Sequence, residues 1–384
     1  MENNQKRQVA VICPTEYGGQ IEHAADLAMA IAAEADVEQC FLVSRPGAAA
    51  YLGTLEQPGV RLLEVLPPRR LTGGRVQNLL RPLRQVIDLL TEHRAIRRVS
   101  RTMGDDGQLV LETSKYPLAS LLRAGKRIEV VLFVHNAKPH FDRKEAGFRQ
   151  RLLMGLETSS MKTADRVVTH GKNQGKTLSE IVGDRLSAVS LPMSSRLSNP
   201  QELSKPESSA YDLKDSALCI GELRSNKGVE LAMSAADTAQ VPLLVAGKSD
   251  EEETRVKLAA LAASSEYVTL QDRFLERSEF DQYLQSARLV VLPYTHFDAQ
   301  SGVLTKAMHA KAAIFASDLP SLREQAGDYS AIEFADHRDP AGFADGLAKA
   351  FQAGQRAAQN ADLEDFSDWK LVAGAVLGGR RNQT

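Results

Sequence analysis

The sequence predicts an α/β protein built from two facing, doubly wound, Rossmann-like domains with a cleft between them. Short apolar runs alternate with helical patterns from end to end, the signature of strand–helix–strand units. Those runs are continuous in apolar residues, as strands buried on both faces of a parallel sheet must be. A chain of 384 residues with 43% hydrophobic content also exceeds the roughly 100–200 residues of one domain.

The first series of strands is expected at VAVIC (9–13), QCFLV (39–43), RLLEVL (61–66), QLVLE (108–112), EVVLFV (129–134) and DRVVT (165–169). The second is expected at ALCIG (217–221), PLLVAG (242–247), YVTLQ (267–271), RLVVLP (288–293) and AIFAS (313–317). Between them, residues 190–216 are rich in Ser and Pro and weak in apolar periodicity, which reads as a linker. The domains are therefore placed at 1–195 and 196–365, followed by a terminal helix within 366–384.

Composition excludes several classes. Lys plus Arg total 47 against 49 Asp plus Glu, a net charge of −2, so no global field attracts nucleic acid and any anion site is local. Cys13, Cys40 and Cys219 each lie in an apolar strand-like run without metal spacing, as small buried residues in a reducing compartment do. The start MENNQKRQ is polar and runs straight into VAVIC, an apolar run too short for the core of a signal segment, and no apolar run reaches the ~18 residues of a membrane span. A cytoplasmic protein is expected.

In open α/β sheets, ligands bind at the carboxyl ends of the strands, so the loops there are the candidates. After the first strand, Gly18 and Gly19 precede a helix; paired glycines suit either a tight turn or close approach of backbone amides to an anion. This is not the GxGxxG of dinucleotide binders. After the first strand of the second series, Arg224 and Lys227 stand three apart with Gly228 opening the next helix, a pattern suited to a diphosphate or to a solvated surface. His135 directly follows a buried strand, where it is either a satisfied structural histidine or a group at the cleft. The segment DAQSG (298–302) enters a helix, so the amides of Ser301, Gly302 and Val303 are expected to face a ligand, with Ser301 also a natural N-cap.

Between Arg61 and Arg101 stand ten arginines against Glu64, Asp88 and Glu92, a local excess of seven. Within this stretch Val76, Leu79, Leu80, Leu83, Val86, Ile87 and Leu90 share one helical face, interrupted by Pro82, a potential kink. Arg75, Arg81 and Arg84 mark a candidate patch for an anionic lipid surface, the alternative being a core-facing helix with a basic outer side.

Taken together, GGQIEHAADLA, FVHNAKPH, GELRSNKGVELAMSA, LLVAGKS, FLERSEFDQYLQSARLVVLPY, SGVLTKAMHAKAAIFASDLPSLRE and FSDWKLVAGAV resemble, in order and spacing, the GT-B glycosyltransferases of family 4, or group 1, type. The resemblance covers nearly the whole chain. It implies transfer of a sugar from a nucleotide diphosphate sugar of UDP or GDP type, bound by the second domain, to an acceptor on the first. The acceptor would be a sugar or a lipid-linked molecule of bacterial surface polysaccharide or glycolipid synthesis, handled at the inner face of the membrane. No cofactor and no metal is implied; the chain lacks an Asp-x-Asp sequence, which leaves cationic side chains and helix dipoles to stabilise charge.

The same resemblance implies roles for residues. Arg224 and Lys227 would bind the diphosphate, His135 the transferred sugar, and Gly18 and Gly19 would lie under the reaction centre. His23 and Asn136 would contact the acceptor, and the helix around Trp369 would cross back onto the first domain. Where the family often has two Glu separated by seven residues, this chain has Asp298 and Lys306. Lys306 is expected either to bring its ammonium to the nucleotide or to turn to solvent or a nearby acid. A sugar-nucleotide epimerase of the same architecture and a non-catalytic GT-B scaffold are the alternative functions.

Overall fold

The computed structural model describes residues 6–55, 57–68, 81–136, 148–183, 188–191, 213–249, 251–359 and 369–378. The chain divides into two units, Met1–Leu191 with Asp368–Thr384, and Pro192–Ser367.

The first unit holds strands β1 (Arg7–Ile12), β2 (Val37–Val43), β3 (Val60–Leu63), β4 (Gln108–Leu111), β5 (Glu129–Val134), β6 (Arg166–His170) and β7 (Ala188–Leu191). They form one sheet in the order β3-β2-β1-β4-β5-β6-β7 with every pairing parallel. Its helices are α1 (Gly19–Ala32), α2 (Ala48–Leu52), α3 (Arg81–Thr102), α4 (Phe148–Thr163), α5 (Lys172–Val182) and the terminal α12 (Trp369–Leu377), numbered in chain order with those of the second unit. Along β1 the period-2 alternation sends Val9, Val11 and Cys13 to one core and Ala10 and Ile12 to the other, so both faces are dry.

The second unit repeats the plan with β8 (Ala217–Ile220), β9 (Leu243–Gly247), β10 (Val268–Asp272), β11 (Leu289–Leu292), β12 (Ile314–Ser317) and β13 (Ile332–Ala335), ordered β10-β9-β8-β11-β12-β13, again all parallel. Helices α6 (Val229–Ala239), α7 (Glu252–Ala263), α8 (Arg277–Ser286), α9 (Gly302–His309), α10 (Pro320–Ala326) and α11 (Pro340–Gln359) complete it. Each sheet reverses strand order once, between β1 and β4 and between β8 and β11, and these switch points are where α/β sheets open for ligands.

Helix α12 packs its Trp369, Val372, Ala373 and Val376 into the core shared with α1. The orphan carbonyls at its C-terminus are met from the sheet. Arg7 Nη1 donates to Leu377 O at 2.8 Å, Gln108 Nε2 to Val376 O at 2.9 Å and Arg166 Nη1 to Ala375 O at 2.9 Å. Two of these donors are cationic, which also suits the negative end of the helix dipole.

Two sequence expectations need correction. The expected linker begins at residue 190, yet β7 runs to Leu191 and pairs with β6; most of the linker, 192–212, lies outside the described residues. β13 was missed because it is a short edge strand with an exposed Glu333, and so lacks the continuous apolar run of its neighbours. The kink or division expected at Pro82 falls at the edge of the described residues, because α3 is described only from Arg81 onward. Arg75 and the residues 76–80 lie outside the described residues, as does the side chain of Arg81. The buried face of α3 is Glu92, Ala95, Ile96, Val99 and Ser100; Val86, Ile87 and Leu90 are exposed. Buried Glu92 is itself held by Tyr116 and by ion pairs to Arg45 and Lys115.

Cys13, Cys40 and Cys219 are free and buried. Burial pushes the Cys13 and Cys219 thiols up to about 12, so they pack as apolar groups.

Candidate functional site

In the first unit, the switch point is bridged by a side chain: Gln20, at the start of α1, donates from Nε2 to the Glu112 carbonyl just past β4. Gly18 has φ +87, a left-handed value that glycine adopts without strain, and a Cβ on Gly18 or Gly19 would meet nothing within 4 Å. The turn is therefore required by conformation, and the space above it is open.

Glu112 is the centre of this end of the sheet. Its Oε2 lies 2.6 Å from His135 Nε2 and 3.1 Å from His23 Nδ1, and His23 Nε2 lies 2.9 Å from His170 Nε2. The four groups come from α1, the ends of β4, β5 and β6, and form one chain of hydrogen bonds. Burial alone would raise the Glu112 carboxyl; the imidazoles of His23 and His135 outweigh it and hold the group well below the ordinary carboxylate range. Phe133 packs 4.8 Å from the His23 ring and 5.2 Å from that of His135, and Trp369 5.2 Å from His23. Asn136 is exposed beside this cluster in sequence.

Donor atoms of His23, His135 and His170 lie within 4.8 Å of one another. Three imidazoles suit borderline divalent ions such as zinc. A tetrahedral zinc with bonds of ~2.0–2.1 Å needs ligand atoms about 3.3 Å apart, however, and His135 turns its Nε2 to Glu112 rather than to the other rings. The arrangement is a hydrogen-bonded chain.

In the second unit the loops after β8 and β11 meet the N-terminus of α9. Gly228 has φ +64, and a Cβ there would fall 1.8 Å from Pro293 O, so only glycine lets the two loops close. Thr295 N donates to Asn226 O at 3.2 Å across the same seam. Gly221 has φ +125 and would place a Cβ 3.4 Å from Val303 Cγ2, setting the first turn of α9 against the end of β8.

Lys227 Nζ sits over the rings of Tyr294 at 3.8 Å and Phe297 at 4.3 Å. The Tyr294 hydroxyl is 2.9 Å from Ser301 Oγ, which caps α9 by accepting from Leu304 N at 3.3 Å. Arg224 is exposed and donates to Glu222 Oε1 from Nε at 2.6 Å. Asp298 is exposed in the loop leading to α9.

Two expectations change here. The Ser301 amide does not face open space: Gln325 of α10 accepts from it at 2.6 Å and returns a bond from Nε2 to Ser301 O at 2.8 Å. The amides of Gly302 and Val303 make no hydrogen bond among the described residues. Lys306 does not extend to the helix N-terminus. It is buried, and its Nζ donates to Asp281 Oδ1 of α8 at 3.0 Å. The long stem carries the ammonium sideways to an acid that α8 presents, which is the second of the two orientations weighed for it.

Sequence reasoning expected Arg224, Lys227, Ser301, Gly302, Val303 and Lys306 at the donor with Gly18 and Gly19, His135 at the sugar, and His23 with Asn136 at the acceptor; in the structure Lys227 stands beside Tyr294 and Ser301, and His23 and His135 meet through Glu112. It missed Glu112, His170, Tyr294, Gln325 and Asp281. Glu112 and His170 each end an apolar strand with a polar residue, the one signal that pointed to them.

Two parallel sheets of this strand order, each wrapped by helices, are the GT-B fold. Residues 214–353 match the family described as Glycosyl transferases group 1. The chain has the GT-B fold, and its second unit is related to the group 1 glycosyltransferases. Sucrose-phosphate synthase from Thermosynechococcus elongatus is similar in structure, with a TM-score of 0.67 and 16% identity over 96% of this chain and 96% of that one. An α,α-trehalose-phosphate synthase (UDP-forming) from Burkholderia vietnamiensis has a TM-score of 0.67 and 12% identity over 97% and 99%. HepE from Anabaena, in complex with UDP and glucose, has a TM-score of 0.63 and 14% identity over 97% and 95%. No curated protein matches the chain in sequence. No described helix is long and apolar enough to cross a membrane.

Proposed function

We propose that the protein is a glycosyltransferase that moves a sugar from a nucleotide diphosphate sugar to an acceptor. The observation that carries this is the joined cluster of Lys227, Tyr294, Ser301 and the first-turn amides of α9 at the second sheet's switch point. A cation beside a helix N-terminus stabilises the diphosphate, whose charge grows as the glycosidic bond breaks. Arg224, one turn of loop away, exchanges Glu222 for a phosphate oxygen when the donor binds. UDP is the favoured nucleotide, because HepE is seen with UDP and with UDP-glucose. The chemistry needs no divalent cation in this reading: the charge is met by Arg224, Lys227 and the amides.

His135 touches the transferred sugar, with Gly18 and Gly19 leaving room beneath it; His23 stands behind His135, and Asn136 beside it is free to meet the acceptor. Asp298 replaces the family's first carboxylate near the sugar. Lys306 acts from behind the site, fixing α9 on α8.

The acceptor belongs to surface polysaccharide or glycolipid synthesis, and a lipid-linked acceptor is favoured by the outer face of α3. Val86, Ile87 and Leu90 are 53%, 42% and 53% exposed, and the same stripe continues into exposed Arg94, Arg98 and Arg101, with half-buried Arg84 at its start. Apolar side chains flanked by arginines suit the headgroup region of an anionic membrane.

The test is incubation of the full chain with UDP-glucose in EDTA, with and without a polyprenyl-phosphate acceptor. Transfer that requires the acceptor supports the reading. Isomerisation of the sugar nucleotide without acceptor would instead mark an epimerase, and no binding of any sugar nucleotide would mark a scaffold.

A further inference from the structure

We infer that Glu112 is a positioning residue that locks His135 in one tautomer, presenting its Nδ1 lone pair as the hydrogen-bond acceptor for a hydroxyl of the bound sugar. The inference deepens the proposal that His135 touches the transferred sugar and rests on it.

An ionised carboxylate can only accept, so both imidazoles facing Glu112 Oε2 must present N–H there. His135 therefore carries its hydrogen on Nε2, 2.6 Å from the oxygen, and His23 carries one on Nδ1, 3.1 Å away. A neutral His23 is then an acceptor at Nε2. His170, 2.9 Å from it, must donate from its own Nε2. One buried charge thus sets three tautomers, and the ordering runs from His170 outward to His135.

His135 is the one member that faces outward. Its side chain is 25% exposed, against 4% for His23 and 0% for Glu112. Its Nδ1 has no partner among the described residues. Phe133 stacks on its ring at an interplanar angle of 27°, which removes the freedom to rotate. The arrangement also carries a cost: Glu112 Oε1 is buried without a hydrogen-bond partner among the described residues. A group kept solely to fill the core would be better apolar, and uncompensated polar atoms of this kind gather at functional sites.

The experiment is a long-range proton–nitrogen correlation spectrum of the full chain labelled on its imidazole nitrogens, with signals assigned through single His→Gln variants. The expected result is His135 and His170 in the Nε2–H form and His23 in the Nδ1–H form. In Glu112→Gln, His135 is expected to lose its single tautomer. Its kcat with UDP-glucose is then expected to fall on the order of 100-fold, the loss that misplacement of a positioned group brings, with KM nearly unchanged. Adding His135→Ala to Glu112→Gln is expected to cost no more than His135→Ala alone. Should Glu112→Gln fail to fold, the wild-type spectrum still decides. The inference is overturned by an Nδ1–H tautomer at His135, by an unchanged His135 signal and kcat in Glu112→Gln, or by one equivalent of zinc that shifts all three rings together. A protein that neither binds nor turns over UDP-glucose would fail the sugar-transfer proposal while the tautomers still report on Glu112.

Discussion

Lys306 of α9 and Asp281 of α8 form a buried ion pair, 3.0 Å from Nζ to Oδ1, with side-chain exposures of 11% and 0%. Phe280 covers the ammonium at 5.2 Å. Two charges at this depth have surrendered most of their hydration, so removing one leaves the other a buried charge with less compensation. Lys306→Ala is expected to destabilise the protein by about 3–5 kcal/mol, and Lys306→Glu by more, since it sets like charges together. Replacing both partners, as Lys306→Met with Asp281→Leu, is expected to recover most of the loss. Urea unfolding of the full chain measures this, and a wild-type midpoint for Lys306→Ala would contradict the pairing.

Arg166 joins β6 to the end of α12. Its Nη1 and Nη2 donate to the Ala375 and Val376 carbonyls while Nε, at 2.5 Å, holds Glu129 Oε1. Arg166→Ala removes charge-assisted bonds and is expected to lower stability by about 1.5–3 kcal/mol. Hydrogen exchange should show the effect first in α12 and the Trp369 region. Uniform protection across the chain in this variant would mean that α12 is held by its apolar face alone.

The exposed stripe of α3 is expected to bring the protein to vesicles rich in phosphatidylglycerol and not to neutral ones, with binding that fades as salt shortens the Debye length below ~8 Å. Ile87→Asp with Leu90→Asp removes the apolar part, and Arg94→Gln with Arg98→Gln the charge. Either pair should reduce sedimentation with vesicles while leaving the melting temperature unchanged, because these side chains are exposed. Sedimentation unaffected by both pairs would dismiss the membrane as a partner.

Much of the fold was legible because buried parallel strands are apolar without interruption: β1 to β6 and β8 to β12 all fall on runs read from the sequence. β7 and β13 were missed, since edge strands bury less and their residues mix with polar ones. At the site, glycines told most. Gly228 closes on Pro293 O so tightly that no larger residue fits, and Gly221 holds a φ of +125 that side chains rarely adopt. The partners across space were not legible. Nothing within FDQYLQS announces that Asp281 faces Lys306, and nothing within LVLE announces that Glu112 gathers His135, His23 and, through it, His170. Those contacts are set by strand order, which brings β4, β5 and β6 side by side.

On the proposed reading, the second unit binds a nucleoside diphosphate sugar through Lys227, Arg224 and the start of α9. Calorimetric titration of the full chain with UDP-glucose, with GDP-mannose run beside it, tests it most directly. Saturable binding of one equivalent is expected, weakened in Arg224→Ala and in Lys227→Ala by roughly 1.5–3 kcal/mol each, the worth of a charge-assisted hydrogen bond. No heat of binding with either nucleotide sugar, or equal affinity in wild type and both variants, would contradict the account.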